Sequence, residues 1–229
     1  MPFRSHTENR VFFKDRNLEC VIRRSLEKPQ GELRDSDLLD IHQIDASCRS
    51  IRDLKGIEGC TNLEVLTLRC NKISDLQPLS HLRKLRVLSL WGNSIEDISP
   101  LVDLQDIEWL ALSDNVIEDI SSLGKLTKLS HLHLERNMIG DIAPIRGLQR
   151  LLTLHLNRNS VREIRTLSEL LSLKMIRLAR NRICDIRSLL DNPSLDENAE
   201  VHLSDNPLDP NTSQPYVATL RSRGVSVVL

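Results

Sequence analysis

The chain has 229 residues, 31 basic and 32 acidic, for a formal net charge of -1. That balance gives no global charge argument for nucleic acid or an acidic membrane as partner. Apolar residues make up 40% of the chain but aromatics only 3%, a composition that fills a thin, repetitive interior with Leu and Ile.

Residues 1–10, MPFRSHTENR, lack the apolar stretch of a secretory signal. No later run approaches the roughly 18 apolar residues that cross a bilayer. A soluble, cytoplasmic protein is therefore expected, with secretion as the alternative if a signal has been removed ahead of these residues. Phe13 to Leu26 reads as an amphipathic helix, with Asp15 as N-cap and Leu18, Ile22 and Leu26 on one face. A second short helix is expected from near Ser36, including Leu38 and Leu39. Residues 1–40 are thus read as a helical cap.

From Ile41 onward a period governs the chain. Asn71, Asn93, Asn115, Asn137, Asn159 and Asn181 are each 22 residues apart, inside the pattern L-x-x-L-x-L-x-x-N-x-I-x-D-I. Around Asn71 the pattern is carried by Leu63, Leu66, Leu68, Ile73, Asp75 and Leu76. Stepping back 22 residues reaches Arg49, with Ile41, Ile44, Ala46, Ile51 and Leu54 in register as a degenerate first unit. Asn206 follows Asn181 by 25, which places a three-residue insertion within 191–200. About eight units fill residues 41–207.

Each unit dictates a coil. The alternation Leu66-Thr67-Leu68 is that of a half-buried strand. Strands of successive coils stack in parallel at about 4.8 Å. Ile73, Leu76, Leu79 and Leu82 face inward from the return segment. The repeated Asn stands where the chain leaves the strand, and its amide, both donor and acceptor, suits a ladder that satisfies turn groups of neighbouring coils. Asp53, Asp75, Asp97, Asp119, Asp141, Glu163 and Asp185 recur four residues after the Asn position and are read as caps of short outer helical turns. A calcium-binding stripe is the less favoured alternative. Residues 208–229 form a second cap: a helix over Ser213 to Arg223 with Val217 and Leu220 inward, a stop at Gly224, and a last strand over Val225 to Leu229. Caps and repeats make one structural domain, an α/β solenoid bent into a right-handed horseshoe, with a parallel sheet on the concave side and helical or 3-10 turns on the convex side.

The 22-residue unit resembles the short leucine-rich repeat of internalins and of the regulatory subunit of protein phosphatase 1. The stretch with Phe13, Asp15, Leu18, Ile22 and Leu26, then Asp37-Leu38 and Gly56-Ile57, resembles the helical cap of internalin-type bacterial proteins. The resemblance covers about residues 11–209 and implies a protein-binding scaffold.

Outward strand positions define three columns across the sheet. The first holds Gln43, Val65, Val87, Trp109, His131, Thr153, Met175 and Glu200; the middle, Asp45, Thr67, Ser89, Ala111, His133, His155, Arg177 and His202; the third, Ser47, Arg69, Trp91, Ser113, Glu135, Asn157, Ala179 and Ser204. Both tryptophans fall here. Trp91 and Trp109 flank a floor of Ser89, Ala111 and Ser113, the profile of a protein-binding hot spot; the bland alternative has each ring lying over a neighbouring side chain. The partner-binding set is Trp91, Trp109, Ala111, His131, His133, Glu135, His155 and Arg177.

The adjoining edge carries Arg136, Arg158, Arg180 and Arg182. With the histidines and Arg177 it offers an alternative, an anionic ligand such as a phosphopeptide or nucleic acid. Zinc on His131, His133 and His155 is a weaker alternative, because exposed strand histidines lack the second layer of groups that fixes metal ligands. No cofactor or metal is expected. There is no P-loop, GxGxxG, GxSxG or HExxH, and an open sheet does not exclude water from a reacting centre, so the chain is read as a binder, monomeric, and not an enzyme. Five scattered cysteines make no disulfide framework. Cys60 replaces a core leucine; Cys48 and Cys70 share a position in adjacent coils, and free thiols are favoured over pairing.

Overall fold

Among the described residues, nine three-residue strands stand side by side in strict chain order, all parallel. They are β1 (Gln43–Asp45), β2 (Val65–Thr67), β3 (Val87–Ser89), β4 (Trp109–Ala111), β5 (His131–His133), β6 (Thr153–His155), β7 (Met175–Arg177), β8 (Glu200–His202) and β9 (Ser226–Val228). The computed structural model describes residues 9–229; residues 1–8, assigned above to the helical cap, lie outside the described residues. The register is the sequence period itself: Val65 sits beside Val87, Val87 beside Trp109, Trp109 beside His131. The three-residue insertion is absorbed between β7 and β8 without shifting register, and Met175 pairs with Glu200. An α/β leucine-rich-repeat horseshoe is therefore the observed fold.

The interior is one continuous apolar column, with Leu66, Leu88, Leu110, Leu132 and Leu154 of the strands fully buried beside Ile73, Leu79 and Leu82 of the returns. Each return passes through a short 3-10 turn, such as Gln77–Leu79 or Ser121–Lys125. Asp75, Asp97, Asp119, Asp141 and Asp185 each accept a backbone hydrogen bond from the residue two positions on, at 2.8 Å.

The asparagine ladder is built as its chemistry requires. The amide of Asn115 donates to Leu112 O of its own coil at 2.9 Å and to Leu90 O of the preceding coil at 3.1 Å. Its Oδ1 accepts from Ile95 N of that preceding coil at 3.0 Å. Asn71 does the same for the degenerate first coil, accepting from Arg49 N and Ile51 N. The residue before each ladder position is left-handed: Cys48, Cys70, Gly92, Asp114, Arg136, Arg158 and Arg180 all have φ between 52° and 69°. That conformation turns the chain sharply out of the strand, and non-glycine residues hold it because both flanking segments are pinned.

The caps differ in detail from expectation. Helix α1 (Arg16–Ser25) is shorter than the expected Phe13 to Leu26, because Asp15 caps it by accepting from Asn17 N and Leu18 N. The other Asp15 oxygen accepts from Arg52 N at 2.8 Å, so one carboxylate starts the helix and fastens it to the first coil. Helix α2 (Asp35–Leu38) is a single turn, and Leu39 lies outside it, exposed. Helix α3 (Pro210–Ser222) begins three residues before the expected Ser213: Asp209 is its N-cap and Pro210 occupies the first turn, where a missing N–H costs nothing. Gly224 has φ 87° and ends it. Inside the insertion Asn192 is fully buried, its amide donating to Leu167 O at 2.6 Å and Leu170 O at 3.1 Å.

Candidate binding face

The outward side chains of β3 to β7 form one surface because each strand repeats its neighbour's register. Trp109 leads a row of rings. Its indole meets His133 edge-on, centroids 5.3 Å apart at 63°. His133 then stacks on His155 at 4.3 Å and 18°. On the next strand the His155 ring nitrogen Nε2 lies 3.3 Å from Met175 Sδ. The row crosses four strands and uses one apolar face after another, with His131 and Thr153 at its side.

Trp91 is held differently. Its indole N–H donates to Asp114 Oδ2 at 2.6 Å, and the Arg69 guanidinium stands 5.5 Å from the ring centre. Both indoles remain half-buried. Between them Ser89, Ala111 and Ser113 are only 3%, 5% and 4% exposed. The floor read from the sequence is thus a covered layer, not an open depression, and a partner meets the rims of the rings first.

Burial and like charge hold two imidazoles of this face uncharged. His155 is pushed down to about 4, first by burial and then by the charges of His133 and Arg177. His133 is lowered by burial, then by His131 and Arg177. At neutral pH both imidazoles are uncharged, which lets them stack. Two buried polar atoms find no partner within the described chain, Ser89 Oγ and Arg177 Nε, and both belong to the middle column of the face. Glu135 accepts from the Asn157 amide at 2.7 Å, while Asn157 Oδ1 accepts from Ala179 N, so a polar rail runs beside the rings.

Two family profiles match the chain, described as leucine rich repeat over residues 83–139 and as leucine rich repeats in two copies over residues 42–81. Among solved structures, internalin C2 of Listeria monocytogenes is 30% identical, with a TM-score of 0.85 and 94% of each chain covered. The chain belongs to the internalin-type leucine-rich-repeat family. InlF of the same organism is 27% identical at a TM-score of 0.75, over 94% of this chain and 68% of that one. The plant peptide hormone receptor RGFR1, solved in complex with RGF2, is 27% identical at 0.58, over 67% of this chain and 26% of its own. Comparison with curated proteins finds no significant match. The internalin-type fold is a general protein-interaction module, and proteins that carry it are typically binding scaffolds without catalytic activity.

In this internalin-type array the arginine edge read from the sequence does not act as one unit. Arg136 is paired with Asp114 at 2.7 Å and Arg180 with Asp205 at 2.9 Å. Arg158 stays exposed between them, and Arg182 lines a cleft on the outer flank. Asp114 therefore serves both Trp91 and Arg136, a role the sequence signals only through its position 22 residues before Arg136. No group of three His, Cys, Asp or Glu among the described residues is arranged to hold a metal ion. At the far end of the face His202 is hydrogen-bonded to Glu200, which lowers the Glu200 carboxyl.

Proposed function

We propose that this internalin-type array binds a protein partner across its sheet face, centred on Trp109, His133 and His155. Trp91, Ala111, His131, Glu135 and Arg177 complete the contact. The row of rings carries this reading: rigid, half-buried rings aligned over successive strands present large area at little entropic cost, the character of an interface hot spot. Neutral imidazoles are cheaper to desolvate than charged ones, so the downward shifts of His133 and His155 favour docking at neutral pH. Ser89 Oγ and Arg177 Nε add unpaired polar capacity in the same column. The plant peptide hormone receptor RGFR1, part of which shares this fold, is solved in complex with RGF2, which supports a proteinaceous ligand.

The test is capture of partners by three forms of the protein: wild type, Trp91→Ala/Trp109→Ala, and Leu171→Ser on the exposed outer surface. Circular dichroism first establishes that all three are folded. Proteins retained by wild type and Leu171→Ser but lost from the double variant support the reading. Equal recovery by all three places the binding surface elsewhere.

A further inference from the structure

The outer flank of the last coils breaks the repeat in a way the sheet face does not use. Elsewhere an Asp accepts from the backbone two residues on; at Glu163 that bond is missing, and the longer carboxylate pairs instead with Arg165 at 3.5 Å. In register, Arg162 stands where coils further back carry Glu96 and Glu118, with Gly140 between, and Arg165 and Arg187 stand where they carry Ser99 and Ser121. Arg182 follows Ser160 in a third column. No packing demand explains these changes, since all four arginines are exposed.

The four surround a cleft of about 730 Å³ that ends against Pro207. Arg162, Arg182 and Arg187 have no ion-pair partner among the described residues. Three acids share the cleft: Glu163 pairs with Arg165, Asp185 keeps its charge while accepting from the backbone N–H of Arg187 at 2.8 Å, and Asp191 is the third, so four arginines face three carboxylates.

We propose that this cleft binds a compact small molecule carrying two or more phosphate groups. Guanidinium forks match phosphate oxygens in pairs, and three unpaired forks from two successive coils exceed what a single phosphate takes up. The cleft has the volume of a small-ligand site, of the order of 300–1,000 Å³. Its positive patch is short. One and two coils upstream the same flank presents Asp141 and Glu118, at about 4.8 Å per coil, so an extended polyanion lying along it meets like charge. The site is separate from the sheet face and does not depend on it.

Inorganic tripolyphosphate serves as the probe, titrated calorimetrically at about 0.15 M salt against wild type, Arg162→Ser/Arg187→Ser and Arg136→Gln/Arg158→Gln. Serine already occupies the corresponding positions at Ser74 and Ser99, so the first variant keeps the fold, which its melting temperature checks. Saturable one-site binding is expected, weakened at least about tenfold in the first variant and unchanged in the second. Absence of saturation, or equal binding by the Arg162→Ser/Arg187→Ser protein, overturns the proposal. So does loss in the edge variant, which assigns binding to Arg136 and Arg158. Heparin bound more tightly than tripolyphosphate, and in an Arg162-dependent way, also overturns it in favour of an extended polymer.

Discussion

The imidazoles of His133 and His155 stack with centroids 4.3 Å apart and planes inclined by 18°. Two protonated rings do not hold that geometry, so the stack ties stability to pH. His155 titrates near 6.5 when unfolded and at about 4 when folded. Between those values the unfolded chain binds the proton and the folded one does not, so stability is complete above pH 6.5 and declines as pH falls toward 4. The loss from this residue is at most about 3 kcal/mol. Urea unfolding of wild type and His155→Gln from pH 7.5 to 4.5 checks it: the variant is expected to show a flatter profile. Equal slopes for both proteins refute the assignment.

The asparagine ladder predicts a graded series. Asn115→Leu removes the partners of Ile95 N, Leu90 O and Leu112 O in a buried turn, at a cost of about 3 kcal/mol. Asn93 makes the same bonds from a half-buried turn, where water replaces part of what is lost. Asn93→Leu is therefore expected to cost less, and equilibrium denaturation of the two variants gives the order directly.

Gly56 has φ 107°, and a β-carbon there meets Phe12 O and Phe13 Cδ1 at 2.7 Å each. Gly56→Ala is expected to cost at least about 2 kcal/mol and to loosen α1, seen as faster amide exchange over residues 16–25. Gly31 is a control, with φ 86° and nothing within 4 Å; its alanine variant pays only the backbone term, about 1 kcal/mol.

Thiol chemistry separates the cysteines. Burial pushes Cys60 up to about 12, whereas Cys20, Cys48, Cys70 and Cys184 are exposed. Ellman's reagent at pH 8 is expected to react rapidly with Cys20, Cys48 and Cys184, more slowly with Cys70, whose thiol is pushed up by burial and by its hydrogen bond to Cys48, and with Cys60 only in denaturant. Rapid reaction of all five places Cys60 outside the core.

Much of this architecture was legible because a fixed period converts sequence distance into lateral distance. Once Asn71 and Asn93 set the step, Trp109 had to lie beside His131 and His133 beside His155. The left-handed turn before each ladder residue was hidden, since Cys70, Arg136 and Arg158 give no such signal where Gly92 does. The covered floor was hidden for another reason: periodicity places Ser89 and Ser113 on the face but does not say which way an indole leans. The pairing of Arg136 was readable, as Asp114 stands one period before it. The early start of α3 was readable too, from Asp209-Pro210. The exception at Glu163 became meaningful only once the aspartates in its column were seen to accept from the backbone two residues on.

Every ladder asparagine reaches backward, so each coil is completed by the one that follows it. Asn137 closes the turn of Ile117, Asn159 that of Ile139, Asn181 that of Val161, and Asn206 that of Ile183. The array therefore has a direction. Trimming it from the carboxyl end strips the last remaining turn of its side-chain acceptor, while trimming from the amino end removes a backbone acceptor instead, since Val116 N donates to Ile95 O and Met138 N to Ile117 O of the preceding coil. Each end therefore exposes a different unpaired group, a backbone donor at the amino side and turn N–H groups without their asparagine at the carboxyl side, and the two caps cover unlike surfaces.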